Sequence, residues 1–432
     1  MSFPQSLWAA TSNASNQRAE LNETIHSDVA IIGGGFTGLA SAYFLSKAGK
    51  KVVVVEKERI GWGASGRNAG MLTTGYKKSI FELEKKLGTA KAKELMDMSA
   101  DCVKLVKEIV DEHQFDCALE TCGGIKVAYK PSHFEKMKKE HEHLLKSFQY
   151  ETELVDANDI HSEINSPMYQ YGGLIDRKSF AFHPLNYVIG LADIAEKMGA
   201  SIYENTEVIS INKKHGNNER FIVKTAKGEI KCKHIIIATN GYTSEITKRL
   251  AKSIMPIGSH IIATQPLPDQ LANQIIPNKR VVSDTKNFLY YFRLTADQRM
   301  LFGGRVSFST NSTPNEYDHI YSALHENLLT VFPDLKGMDV DYRWGGTTGF
   351  TFDFMPHIGE TEDGMHFALG YCGHGAAMST LLGKILAYKI TGVERTETVL
   401  ESLPLRTIPL HGQRVKVLNL VGYYYKIADQ IS

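Results

Sequence analysis

The stretch DVAIIGGGFTGLASAYFLSKAGKKVVVVEKE, residues 28–58, decides the fold of this 432-residue chain. A β-branched run leads into a glycine turn, a helix-length segment and a Gly49–Lys50 stop, and the valine run Val52–Val55 follows. A strand, a helix and a second strand in this order predict a βαβ unit with parallel strands. The chain is therefore expected to contain a doubly wound α/β domain of the Rossmann type.

The glycine turn fits the pattern G-x-G-x-x-G directly after a predicted strand and at the start of a predicted helix. In that context the pattern indicates a dinucleotide site. Gly33 is expected to make the tight turn, Gly35 to let a pyrophosphate approach the backbone, and Gly38 to allow close packing of helix on strand. The helix N-terminus at Phe36 and Thr37 supplies free amides and a partial positive charge. A glycine turn without a ligand is the alternative interpretation.

Glu56 follows the second predicted strand, where a carboxylate can accept hydrogen bonds from an adenosine ribose diol. We place Glu56 and its neighbour Lys57 in the cofactor site. The motif alone does not separate NAD from FAD. The next segment, GWGASGRNAGM, is rich in small residues and is able to run along a longer ligand and present amides to a flavin ring, although a surface loop has the same composition. This segment contributes the candidates Ala64, Ser65, Arg67, Asn68, Ala69, Gly70 and Met71.

The composition favours a small-molecule partner. Lys and Arg total 49 against 48 for Asp and Glu, so there is no basic surface typical of nucleic-acid binding. The five cysteines are scattered, the first 27 residues lack a signal-peptide pattern, and no apolar run reaches the roughly 18 to 20 residues of a membrane span. We expect a cytoplasmic protein without a transmembrane segment or a disulfide framework.

Periodicity along the chain predicts two domains and two extensions. The nucleotide-binding domain is discontinuous and is interrupted by a substrate domain built on a mainly antiparallel sheet. We assign residues 27–120, 165–252 and 345–395 to the nucleotide-binding domain, 121–164 and 253–344 to the substrate domain, and 1–26 and 396–432 to the extensions.

Five separated segments carry a resemblance to a known family. They read SLWAAT (6–11), GASGRNAG (63–70), LFGGR (301–305), TFDFMPHIG (351–359) and GYCGHG (370–375). In this order the chain resembles the FAD-dependent D-amino-acid-oxidase-like oxidoreductases over roughly residues 27–395. It is most similar to the γ-glutamylputrescine oxidoreductase group of that family.

The resemblance implies an extended FAD whose isoalloxazine ring lies between the two domains, and hydride transfer from a carbon attached to an amine onto flavin N5. The imine then hydrolyses, and oxygen or another acceptor re-oxidises the flavin. The resemblance adds cofactor contacts at Val208, Ala238, Thr239, Asn240, Gly241 and Gly346. It also implies that amides of the turn before the last helix meet the flavin pyrimidine edge, at Gly373, His374, Gly375 and Ala376.

Two cysteine patterns have other interpretations. Cys372 and His374 are candidates for a reactive pair or half of a metal site, but no nearby Cys or His completes a ligand set, and no metal is predicted. Cys117 and Cys122 resemble the redox pair of disulfide reductases. They lie far beyond the first nucleotide motif, so we interpret them as structural thiols.

Several residues differ from those at the matching positions of the family, and these differences restrict the range of possible substrates. Thr348 and Ala377 stand where relatives carry an Arg or a Lys for a substrate carboxylate, and Leu301 stands where sarcosine oxidase carries a Lys that activates oxygen. Arg305 is a candidate replacement for that lysine, or part of a salt bridge. Gly346 stands where sarcosine oxidase has its flavin-linked cysteine, which favours noncovalent FAD.

These departures favour an amine of the γ-glutamylputrescine type over an α-amino acid. A cyclic or N-methyl amino acid such as pipecolate, sarcosine or glycine is the alternative substrate class, and a flavin-binding electron-transfer subunit is a second alternative. The candidates for substrate contact are Arg67, Tyr291, Tyr290, Arg293 and His183. Tyr290 and Tyr291 alternate along one strand, so we expect at most one of them to face the flavin. For His183 the alternative is a cap of the following helix.

Overall fold

A computed structural model describes residues 5–214, 219–307, 314–393 and 397–408. Within these ranges the chain forms 18 β-strands, ten α-helices and six short 3-10 helices. None of the described helices is long and apolar enough to cross a lipid bilayer.

The strands are β1 (Thr24–Ile32), β2 (Val52–Val55), β3 (Met71–Leu72), β4 (Gly124–Val127), β5 (Glu153–Val155), β6 (Gly173–Asp176), β7 (Phe180–Ala181), β8 (Ser201–Tyr203), β9 (Val208–Lys213), β10 (Phe221–Thr225), β11 (Glu229–Ile237), β12 (Met255–Pro266), β13 (Val281–Asp284), β14 (Tyr291–Leu294), β15 (Arg299–Ser307), β16 (Val340–Phe350), β17 (His357–Glu360) and β18 (His366–Leu369). The helices are α1 (Leu7–Ala10), α2 (Phe36–Lys47), α3 (Ile80–Leu87), α4 (Thr89–His113), α5 (Pro131–Phe148), α6 (Pro184–Lys197), α7 (Lys248–Ser253), α8 (Asp269–Ile275), α9 (Pro314–Val331) and α10 (Gly375–Thr391). The 3-10 helices are Ala64–Gly66, Ile160–Ser162, Asn240–Tyr242, Glu245–Thr247, Pro333–Leu335 and Val399–Ser402.

The first sheet contains the βαβ unit expected from the glycine turn. Its strands follow the order β17-β18-β11-β1-β2-β8, and β10 and β9 continue from β11 as an antiparallel extension. Strand β1 pairs in parallel with both β11 and β2. All four residues of β2 are buried, as expected for a parallel strand covered on both faces. Helix α2 is buried along almost its whole length, against α6 and α10.

The second sheet is mainly antiparallel, which confirms the predicted fold class. Its order is β16-β12-β15-β14-β13-β4-β6-β5, and only the β13–β4 pair of this sheet is parallel in the described chain. One apolar core includes side chains of α2, α4, α6 and α10 together with Ile261, Leu301 and Trp344 of the second sheet. The two sheets are thus joined by shared packing.

The sheets divide the chain differently from the sequence-based boundaries. Strand β6 pairs with β4 and β5 in the second sheet, although residues 165–252 were assigned to the nucleotide-binding domain. Strand β16 stays in the second sheet through Phe350, beyond the predicted boundary at residue 345. Strand β16 pairs with β12, and β6 pairs with β4 as well as with β5, and hydropathy carries no information about pairing partners.

The N-terminal segment is part of the fold. The Trp8 indole Nε1 donates a hydrogen bond of 2.7 Å to the backbone oxygen of Asn68, and its ring packs edge-on against Trp344. The Trp344 indole donates in turn to the oxygen of Arg67, at 2.9 Å. Two tryptophans from opposite ends of the chain therefore hold the backbone of the small-residue segment 61–71.

Candidate active site

A cavity of about 950 Å³ lies at the carboxyl ends of the parallel strands and extends to the second sheet. Ligands of doubly wound sheets bind at this edge because the turns there leave the helix N-termini open. The walls come from the glycine turn, residues 55–58, the segment 61–71, the end of β11, strands β12 and β16, and the turn before α10.

The glycine turn leaves no space for side chains. A Cβ atom on Gly38 would lie 2.0 Å from the Gly33 backbone oxygen, and one on Gly33 would lie 2.8 Å from that of Ala238. A Cβ on Gly35 would lie 2.8 Å from Ser65 Oγ, which accepts a hydrogen bond from the Phe36 amide at 3.0 Å. The turn therefore brings bare backbone to the cavity, as a pyrophosphate site requires.

Glu56 is held by backbone amides at the end of β2. Its carboxylate accepts hydrogen bonds from the amides of Gly34, at 2.7 Å, and Glu58, at 3.0 Å. Burial raises the pKa of Glu56, while these two amides act in the opposite direction. The side chain is thus fixed in orientation at the cavity wall.

Arg67 is anchored by backbone oxygens. Its Nε donates to Trp62 at 2.6 Å and its Nη1 donates to Gly345 at 3.3 Å, while the guanidinium lies 4.0 Å from the centre of the Trp62 ring. Its Nη2 is buried and lacks a hydrogen-bond partner among the described residues. Arg67 lines the cavity with one donor unused, and burial lowers its pKa.

The turn before α10 presents backbone to the cavity. The first amides of a helix have no intrahelical partners, and no side chain caps the first turn of α10, so these amides stay open to a ligand. The turn is fixed from outside, since the Gly370 amide donates to Asn240 Oδ1 at 2.9 Å and the hydroxyls of Tyr371 and Thr37 lie 2.6 Å apart. Burial lowers the pKa of His374 to about 4, so the ring is neutral at pH 7.

Cys372 is a structural thiol. Its φ of 53° places it in the left-handed region, and its Sγ donates to the Gly370 oxygen at 3.0 Å. Burial raises the pKa of this thiol to about 11, so it is protonated at neutral pH. All five cysteines of the chain are free.

Most predicted cofactor residues meet in this one cavity. Those that line it are Gly33, Gly35, Phe36, Thr37, Glu56, Lys57, Ala64, Ser65, Arg67, Asn68, Ala69, Met71, Val208, Ala238, Thr239, Asn240, Gly346, Gly373, His374, Gly375 and Ala376. Gly38, Gly70 and Gly241 do not line it but pack against neighbouring backbone, where a Cβ would lie 2.0 to 3.1 Å from the nearest atom. These three glycines hold the walls together.

The predicted substrate contacts separate into two groups. Tyr291 lines the cavity with Arg67, and its hydroxyl lies 2.8 Å from Ser259 Oγ. Tyr290 instead packs on Phe302 in the core of the second sheet, with ring centres 5.0 Å apart, which agrees with the alternation of the two tyrosines.

Arg293 and His183 also lie away from the cavity lining. Arg293 is 3% exposed and donates to the backbone oxygens of Ala69, at 3.0 Å, and Phe182, at 2.8 Å. His183 caps α6 by accepting from the Asn186 amide at 3.1 Å, the alternative considered for it. The structure therefore gives both residues a bracing role in place of the expected substrate contact.

Thr348, Ala377 and Leu301 were used to restrict the class of substrate, and one of these three positions faces the cavity. Thr348 lines it, whereas Ala377 is 2% exposed and Leu301 fully buried, both within the apolar core. The absence of charge at Ala377 and Leu301 therefore reflects core packing, and only Thr348 bears directly on the substrate. The Arg305 side chain lies outside the described part of the chain.

One part of the lining was missed in the sequence. It comprises the loop between β3 and α3, the ends of β4 and β6, and α5, with polar side chains at Thr74, Lys77, Lys78, Lys126, Glu140, Tyr150 and Asp176. No local motif marks these residues, because they belong to separate segments that meet only when the second sheet forms.

The residues of the cavity fit FAD. The Cβ-free turn suits the pyrophosphate, the fixed Glu56 carboxylate suits a ribose diol, and the uncapped start of α10 suits the electron-rich edge of a flavin. The buried, unpartnered Nδ1 of His374 also lies at this end, where a bound ring would offer it a partner.

Comparison with known proteins agrees with this fit. The sequence profile of the family described as FAD dependent oxidoreductase matches residues 28–389. The chain is 35% identical to gamma-glutamylputrescine oxidoreductase of Escherichia coli strain K12, over 99% of this chain and 98% of that protein.

Solved structures show the same fold at lower identity. L-proline dehydrogenase from P. horikoshii has a TM-score of 0.71 at 23% identity, covering 86% of this chain and 95% of that one. Glycine oxidase from Geobacillus kaustophilus has a TM-score of 0.71 at 21% identity, covering 89% and 99%. The glycine turn, the cavity and the profile match together establish that the chain belongs to the family of FAD-dependent oxidoreductases.

Proposed function

We propose that this FAD-dependent oxidoreductase oxidises a carbon–nitrogen bond of an amine, and that the amine is of the γ-glutamylputrescine type. The observation that carries the proposal is the continuous cavity from the dinucleotide turn to the second sheet, whose strand β16 presents the uncharged Gly346 and Thr348. The 35% identity to gamma-glutamylputrescine oxidoreductase along the whole chain supports the choice of amine.

When bound, FAD supplies the acceptor for a hydride from the carbon next to the amine nitrogen. The residues of the chain bind and orient the FAD. Glu56 is placed for the adenosine ribose and the amides at the start of α2 for the pyrophosphate. The amides at the start of α10 favour the negative charge that develops at the ring edge during hydride transfer. We propose noncovalent attachment, because the Cys372 thiol donates to the Gly370 oxygen and its pKa is raised to about 11 by burial, which disfavours the nucleophilic thiolate.

The substrate nitrogen has to be neutral to release hydride from its neighbouring carbon. A neutral His374 adds no positive charge at this end of the cavity and offers one acceptor nitrogen to an amine N–H. Tyr291, fixed by Ser259 and protonated at neutral pH because burial raises its pKa to about 12, offers a hydroxyl from the opposite sheet. The oxidised product is an imine, which water converts to a carbonyl compound and ammonia.

Anaerobic flavin bleaching tests the proposal. We expect γ-glutamylputrescine to bleach the visible absorption of the bound flavin, and pipecolate, sarcosine and glycine to leave it unchanged. Putrescine and N-acetylputrescine serve as matched controls for the glutamyl group. Bleaching by pipecolate without bleaching by γ-glutamylputrescine would contradict the substrate assignment, and a flavin that no amine reduces would identify an electron-transfer subunit.

A second candidate substrate class is a cyclic or N-methyl amino acid. The specific observation in its favour is the unused donor Arg67 Nη2, which could pair with an α-carboxylate. The same bleaching experiment separates this class from the first.

A further inference from the structure

The cavity contains one lysine whose ammonium has no partner in the described parts of the chain. Lys57, Lys78 and Lys126 each form an ion pair, with Glu207 at 2.8 Å, Glu82 at 3.3 Å and Glu140 at 3.2 Å, and Arg67 donates to backbone oxygens. Lys77 also lines the cavity, yet its ammonium has neither an ion pair nor a hydrogen bond within the described residues. Among the lysines of the lining, it is the one left free to meet a ligand.

Lys77 lies in the loop between β3 and α3, after Gly75, whose φ is 82°. Its side chain is exposed to the cavity, and the protein around it lowers its pKa by desolvation. Cys372 and His374 of the turn before α10 line the same cavity. An anionic group bound beside this ammonium would restore the stabilisation that desolvation removes.

A carboxylate without a basic partner lies near the same loop. Asp176 ends β6 and lines the cavity, and it accepts hydrogen bonds from the Tyr150 hydroxyl at 2.7 Å, the Lys178 amide at 2.8 Å and the Thr74 hydroxyl. These partners are neutral, and Asp176 forms no ion pair within the described ranges. Because Thr74 and Lys77 belong to one loop, the loop connects the unpaired carboxylate with the unpaired ammonium.

We propose that Lys77 and Asp176 form a recognition site for a zwitterionic head group, in which Lys77 binds a substrate carboxylate and Asp176 binds a substrate ammonium. This deepens the proposed function and rests on it, since the α-carboxylate and α-ammonium of a γ-glutamyl group have this chemistry. The unpaired charges of the cavity thus select substrates that carry both charges. A charge-assisted contact of this kind contributes about 1.5–3 kcal/mol, or roughly 10- to 100-fold in affinity.

Calorimetric titration of the flavin-loaded protein under anaerobic conditions tests this assignment without turnover. The probes are γ-glutamylethylamide, which carries both charges, N-ethylglutaramate, which carries only the carboxylate, and N-ethylbutyramide, which carries neither. For Lys77→Gln we expect the Kd of the first two probes to rise at least about tenfold, with no change for the third. Lys77→Arg keeps the affinity for carboxylates within about threefold because the charge is retained.

Lys85→Gln is the matched control, because Lys85 is exposed on α3 and is not part of the cavity lining. For Asp176→Asn, which keeps an acceptor for Tyr150, we expect about tenfold weaker binding of γ-glutamylethylamide and no loss for N-ethylglutaramate. An unchanged Kd for N-ethylglutaramate in Lys77→Gln overturns the proposal. If these binding changes appear while γ-glutamylputrescine fails to bleach the flavin, the head-group site stands and the proposed reaction is wrong.

Discussion

Replacing Glu56 by Gln tests how the chain holds the adenosine half of FAD. In the structure the carboxylate accepts two backbone hydrogen bonds, from Gly34 at 2.7 Å and from Glu58 at 3.0 Å, and its remaining lone pairs face the cavity. A glutamine amide has one acceptor oxygen, so one of the two amides would meet an N–H group. We therefore expect the ribose contact to be weakened and the orientation of the side chain to be disturbed.

The expected magnitude follows from one charge-assisted hydrogen bond, about 1.5–3 kcal/mol, which raises the Kd for FAD roughly 10- to 100-fold. The stability of the flavin-free protein should change by less than about 1 kcal/mol. The unsatisfied amide destabilises it, but the substitution also removes a buried charge beside Glu58 and Glu204, whose proximity helps to raise the pKa of Glu56.

Fluorescence titration of the flavin-free protein with FAD and with FMN measures this effect. FMN lacks the adenosine, so Glu56→Gln should weaken FAD binding and leave FMN binding unchanged. Glu229→Gln, at the start of strand β11 and outside the cavity lining, is the control. Equal losses for FAD and FMN, or no loss for FAD, would refute the assignment of Glu56 to the ribose.

Four further substitutions have defined outcomes. In Gly38→Ala the new Cβ would lie 2.0 Å from the Gly33 oxygen, so we expect the free energy of unfolding to fall by about 3 kcal/mol and the purified protein to lack flavin absorbance. Gly49→Ala is the control, since no atom lies within 4 Å of its Cβ, and it should lose only about 1–2 kcal/mol and retain flavin. Arg293→Lys keeps the charge but not the fork that reaches two carbonyl oxygens, and we expect thermal denaturation to report a loss of about 2 kcal/mol. His260→Phe should make the stability of the protein less sensitive to acid. Burial lowers the pKa of His260 from 6.5 to about 4, so the unfolded chain takes up the proton first as the pH drops. The free energy of unfolding therefore falls between about pH 6.5 and about pH 4, by at most about 3 kcal/mol, and the substitution removes this loss. If the difference in melting temperature between the unsubstituted protein and His260→Phe is the same at pH 7 and at pH 4.5, this expectation is contradicted.

Local sequence predicted the dinucleotide part of the cofactor site, and the family resemblance added the remaining cofactor residues. The strand, glycine turn and helix of residues 28–58 are continuous in the chain, and the backbone there requires glycine for steric reasons that neighbouring residues set. The helix after the turn at 370–375 was found for the same reason, since α10 runs from Gly375 to Thr391 and ends at Gly392 with a φ of 70°. Most residues predicted to contact FAD accordingly line one cavity.

The placement of individual side chains was harder to predict, because the direction of a side chain depends on packing. Ala377 and Arg293 were both interpreted through the substrate, yet the first packs in the core and the second braces backbone oxygens. Neither burial is visible in the local pattern, since a helix start and a strand each present several faces and only the neighbouring elements decide which face is covered.

The sequence by itself determined the dinucleotide-binding unit and the mixed α/β class. These depend on short-range periodicity and on steric limits at individual glycines. Only the tertiary structure decided that β6 joins the second sheet and that the loop carrying Thr74 and Lys77 meets Asp176 in one cavity. Such placements arise from strand pairing and side-chain contacts between segments that are separated along the chain, and these contacts leave no periodic trace in the sequence.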